Sequence, residues 1–77
     1  MKMVEAIGTR LQEIMKEKEY NYYRIQRDGG VDRSTVADIA QSKYKKVVVN
    51  TLYSILQTMG VTMKEFFDSP LFDEIED

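Results

Sequence analysis

The sequence predicts an all-α domain of five short helices around one small core. Three observations carry that prediction. Apolar residues recur at helical spacing in two stretches, roughly residues 3–18 and 48–59. A Gly29-Gly30 pair separates two short helical segments, as a sharp helix-to-helix corner requires. The one strand-like run, Val47-Val48-Val49, has no second run to pair with, so it reads as the entrance to a helix.

In chain order, Val4, Ile7, Leu11, Ile14 and Met15 give the first helix, residues 3–18, with Arg10, Glu13, Lys16 and Glu17 on its wet face. Asn21 is placed to cap the second helix, residues 22–28, whose clearest core residue is Ile25. After the glycines, Asp32 is expected to cap the third helix, residues 32–42. Val36, Ile39 and Ala40 lie on one side of it. At about 100° per residue, Ser34, Asp38 and Gln41 fall on the other, and Arg33 projects from the first turn. A helix with so few apolar anchors and so polar an outward set suits the role of a probe.

A basic connection, Lys43-Tyr44-Lys45-Lys46, leads to the fourth helix, residues 48–59. There Val49, Leu52, Ile55, Leu56 and Met59 keep helical spacing before Gly60 closes it. Thr62-Met63-Lys64-Glu65 is a capping box, and Val61 and Phe66 stand at the two ends of a hydrophobic staple. These start a fifth helix over residues 63–68. Residues 1–69 thus form the domain, and 70–77 read as an acidic solvating tail.

Composition narrows the function. Seventy-seven residues make a single domain, and the chain has no cysteine and no histidine. Disulfides, thiolate zinc sites, cysteine nucleophiles and histidine bases are therefore excluded. Ser34 lacks a partner to activate it, and Asp28-Gly29-Gly30 is not followed by the Gly-Lys-Ser/Thr of a phosphate loop. The terminal acids lack the spacing of a calcium loop. The expectation is a protein that is not an enzyme and takes no metal and no cofactor. No apolar run approaches the roughly 18 residues of a membrane span, so no membrane partner is expected and a cytoplasmic location is. Net charge is −2, but it is unevenly spread. Through Lys64, 11 basic residues meet seven acids, and the last 13 residues carry six acids and no base. A mildly basic body remains able to bind phosphates.

The order and spacing of several landmarks resemble the phage-repressor family of helix-turn-helix domains (lambda-repressor-like, Xre/Cro type). They are Ile7-Gly8-Thr9-Arg10-Leu11, Gly30-Val31, Ser34-Thr35-Val36 with Ile39, Asn50-Thr51-Leu52, Met59-Gly60-Val61, and Thr62 to Phe67. The resemblance spans about residues 4–68. This chain departs from the family pattern at four places. Gln26 replaces a small alanine before the corner, so either its side chain turns out or the helices stand apart, with Gly29 giving room. Ser42 stands for a glycine after helix three, and Val47 for a proline before helix four. Met15 and Ala40 replace a buried arginine–glutamate pair together. Losing one partner would strand a charge at about 3–5 kcal/mol, while losing both can be neutral. The two are expected to share neighbours in the core.

The resemblance implies a sequence-specific regulator of transcription, a repressor, that binds double-stranded DNA with helix three in the major groove. Its base-reading positions map to Arg33 and Ser34, then Asp38, with Asp32, Thr35 and Ala37 at the margins. Arg33 would fork onto guanine O6 and N7, and Asp38 could accept from cytosine N4. Phosphate contacts are expected from Asn21, Tyr22 and Tyr23 at the start of helix two and from Lys43, Tyr44, Lys45 and Lys46 after helix three. Phe67, Leu71, Phe72 and Ile75 exceed what one small core should absorb. They could cap the monomer, or form the two-fold interface of a homodimer, which is the preferred expectation. Two other functions fit the same residues: an antitoxin-like autoregulator that binds a protein partner through its C-terminal segment, and a protein-interaction module without DNA binding.

Overall fold

A computed structural model describes residues 1–77, all of them helix or short connection. The helices are α1 (Met3–Glu17), α2 (Tyr22–Gly29), α3 (Arg33–Ala40), α4 (Val49–Thr58) and α5 (Met63–Phe67). A 3-10 turn, Pro70–Glu74, follows. Helix α3 packs on α1 and α2, α2 also packs on α4, and α5 and the final turn close over α1. One cluster of buried apolar residues holds them together, with Leu11, Ile25, Val36, Leu52, Ile55, Leu56 and Phe66 at its centre. Met15 and Ala40 are both buried in this cluster, so the charged pair of the family gives way to apolar packing.

Local signals fix the helix ends. Asn21 Oδ1 accepts from Arg24 N at 2.7 Å, capping α2. Thr62 Oγ1 accepts from Glu65 N at 3.0 Å and Glu65 Oε1 accepts from Thr62 N at 3.2 Å, completing the box ahead of α5. Val61 and Phe66 are buried on either side of it. Tyr20 packs against the core and donates its hydroxyl to Thr58 O at 3.2 Å. No helix is long and apolar enough to cross a membrane.

Four expectations need correction. Asp32 stands at the N-cap position of α3, but its side chain caps nothing. Val49 is 64% exposed, because it lies in the first turn of α4, before the helix reaches the core; Val47 packs inward instead. Arg10 is not merely part of a wet face. Its Nε and Nη2 donate to Phe66 O at 2.8 Å and Glu65 O at 2.9 Å, satisfying carbonyls at the end of α5. Residues 70–77 are not a free solvating tail. Ser69 Oγ accepts from Leu71 N at 3.3 Å to start the 3-10 turn, and the last residues clasp the amino end of α1. Glu76 N donates to Met1 O at 3.0 Å, and Met3 N donates to both Asp77 carboxylate oxygens at 3.0 and 3.2 Å. A carboxylate there answers the free amides and positive end of α1.

Candidate nucleic-acid interface

The corner between α2 and α3 is built by two residues. Gly30 takes φ 77°, a left-handed conformation that costs glycine little, and its N–H donates to Gln26 O at 2.9 Å. The Gln26 side chain turns away from the core and accepts from Arg33 N at 2.8 Å. It therefore supplies the cap that Asp32 does not, from the preceding helix. Gly29 provides the other half of the answer: a Cβ on it would run into the Thr58 side chain of α4, so α2 and α4 meet closely there.

This corner presents the first turn of α3. Asp32, Arg33 and Ser34 are exposed, Thr35, Ala37 and Asp38 are half-buried, and Val36 and Ile39 are buried beneath them. The Arg33 guanidinium lies 5.9 Å from the ring centroid of Tyr23, which is itself 53% exposed. The residue expected to read bases and one of those expected to touch phosphate thus stand within cation–π distance of each other. Because Asn21 spends its side-chain oxygen on Arg24, the anion-binding capacity of the α2 start falls to the free amides of Tyr22 and Tyr23. At the other end of α3, Lys43, Tyr44, Lys45 and Lys46 are all exposed. Thr35, Tyr44 and Lys46 line one hollow of about 230 Å³, floored by Ile39 and Val47.

Charge is distributed so that some cations are occupied and others are free. Asp28 sits 2.8 Å from Arg27 and 3.7 Å from Arg24. The hydrogen bond from Arg27 holds the Asp28 carboxyl below the usual carboxylate range, and Asp28 in turn raises the Arg27 guanidinium. By contrast, Arg33, Lys43, Lys45 and Lys46 have no carboxylate within ion-pair distance. Those four are the unpaired cations on α3 and in the loop just after it.

The residues expected at a dimer interface divide. Phe67 and Phe72 pack partly against the core and form a three-ring cluster with Phe66, at centroid separations of 4.8–5.9 Å. Leu71 and Ile75 stay half-buried at the surface. Local spacing does not mark Gln26 as the cap of α3. Its polarity at a position where the family is small was the only available signal.

The fold and this corner define a helix-turn-helix DNA-binding domain, and similarity to known proteins specifies which kind. The chain belongs to the Cro/C1-type helix-turn-helix DNA-binding domain family, whose pattern matches residues 10–70. Among solved structures, it is similar to a point mutant of the restriction-modification controller protein C.Esp1396I. The TM-score is 0.80 at 17% identity, covering 91% of each chain. It is also similar to the prophage Lp1 protein 11, with TM-score 0.78 and 25% identity over 97% of this chain and all of the other. No curated protein sequence matches it significantly.

Proposed function

We propose that this DNA-binding regulator is a sequence-specific transcriptional repressor that reads the major groove with α3. The observation that carries the reading is the Arg33–Tyr23–Gln26 unit: Gln26 holds the backbone amide at the start of α3, and the Arg33 guanidinium lies beside the exposed Tyr23 ring. Arg33 and Ser34 are the specifying residues, with Asp32, Thr35, Ala37 and Asp38 shaping the fit. The amides of Tyr22 and Tyr23 and the side chains of Lys43, Tyr44, Lys45 and Lys46 take the phosphates. Repression follows from occupying a promoter-overlapping operator.

The reading includes a homodimer. An eight-residue helix is only about 12 Å long, a third of a DNA turn, so two copies on a two-fold site supply the rest. Leu71 and Ile75 retain surface for that contact. The antitoxin-like alternative would place a protein partner on the same C-terminal segment, whose last two residues bond to the amino end of α1.

The test begins with an operator selected from random duplexes. Arg33→Ala should relax sequence choice, costing about 1–3 kcal/mol at one base pair, while Lys45→Ala should weaken all sequences alike. If both substitutions left operator binding as it was, α3 would not be the reader.

A further inference from the structure

The amino end of α1 stands beside the loop that follows α3. Ser42 turns the chain there in a left-handed conformation, φ 58°, and its hydroxyl donates to Val4 O at 3.1 Å. Between the two segments opens a hollow of about 440 Å³, lined by Lys2 and Glu5 on one side and Lys43, Tyr44 and Lys45 on the other. Three exposed lysines therefore converge on one space, and no carboxylate lies within ion-pair distance of any of them. With Glu5 on the same wall, the three lysines still leave the hollow a net positive charge. Lys2 is also at the N-cap of α1, where the helix dipole disfavours a cation. The nearby acids are already engaged: Glu5 accepts from Lys2 N at 2.7 Å, and Asp77 accepts from Met3 N.

We infer that Lys2 is a further phosphate-binding residue, completing with Lys43 and Lys45 a three-ammonium site for a backbone phosphate of duplex DNA. The footprint then reaches past the α2–α3 corner to the amino end of α1. An arriving phosphate neutralises the unpaired cluster and releases its own counterions. The inference rests on the DNA-binding reading above and adds a contact outside the helix-turn-helix.

The experiment compares Lys2→Ala, Lys45→Ala and Lys16→Ala on the selected operator and on a scrambled duplex of equal length, across a salt series. Lys16 is an exposed lysine at the far end of α1, about 20 Å along the axis, beyond the roughly 10 Å screening length at 0.1 M salt. Lys2→Ala should weaken both duplexes alike, by about three- to tenfold, and reduce the salt slope by about 0.9. Lys2→Arg should restore binding, and Lys16→Ala should leave it unchanged. Circular dichroism should match for all variants, since each residue is exposed. If Lys2→Ala behaved as Lys16→Ala does while Lys45→Ala still weakened binding, the inference would fail and the DNA-binding reading would stand. Loss of effect in Lys45→Ala and Arg33→Ala as well would remove both.

Discussion

Helices α3 and α4 differ in length by two residues, and they are anchored by different physics. Leu52, Ile55 and Leu56 plug α4 into the centre of the core, and Met59 follows just past its end. Against these, α3 contributes only Val36, Ile39 and the small Ala40. What α3 lacks in apolar volume it gains at its ends. Gln26 of α2 accepts from its first amide, and Gln12 of α1 donates to the carbonyl of Ala40. Gly8 lets α1 approach so closely that a Cβ there would stand 2.8 Å from the carbonyls of Ile39 and Ala40. A helix gripped by its ends and its backbone keeps its outer side chains free of structural duty. The outer residues of α3 can therefore change without endangering the fold, whereas α4 has no such freedom.

The contrast can be broken by substitution, and the largest effect should come from the core. Leu56→Ala should cost about 2–5 kcal/mol in denaturant unfolding, against less than about 0.5 kcal/mol for Ser34→Ala. Equal losses would show that α3 carries packing load after all. Next, Gly8→Ala should destabilise by about 1–3 kcal/mol, although alanine normally improves a helix interior, because the obstructing atoms are backbone carbonyls. A gain in stability would mean that α1 does not grip α3 by its backbone. Gln26→Ala should cost about 0.5–2 kcal/mol, the range of a lost helix cap, and should lower operator affinity more than affinity for scrambled DNA. Unchanged discrimination between the two would separate the cap from the reading function.

The smallest effect is electrostatic and lies at α5. The two hydrogen bonds from Thr62, its backbone amide first, hold the Glu65 carboxyl below the usual carboxylate range. A lowered folded-state pKa means that the stabilisation is present above the unfolded value and disappears as pH falls through the folded one. The stability difference between the wild-type chain and Glu65→Ala should therefore shrink on acidification. A difference that held constant with pH would leave the carboxylate charge without a role in the box.

How much could be read in advance follows from sequence distance. Helical spacing, the Gly29-Gly30 stop, the Asn21 cap and the Thr62–Glu65 box depend on residues within a turn or two of each other, so the pattern carries them directly. The bond from Arg10 to the carbonyl of Phe66 and the seat of Asp77 on Met3 join residues 56 and 74 positions apart. Periodicity holds no trace of such pairs. Val49 shows a second limit: spacing gives the face of a helix but not how far along its axis the core extends. At the candidate interface, the placing of Arg33 and Ser34 on α3 followed from the Val36–Ile39 register. The Gln26 cap did not, because a glutamine seven residues away across a turn has no local signature.

That borrowed cap also has a kinetic consequence. First-turn amides of a helix normally lack an intrahelical acceptor and exchange freely with solvent. The amide of Arg33 is an exception whose protection depends on a side chain of another helix. Its hydrogen-exchange rate should therefore report each separation of α2 from α3 rather than the fraying of α3 alone. The Arg33 N–H is thus the site at which opening of this corner can be timed.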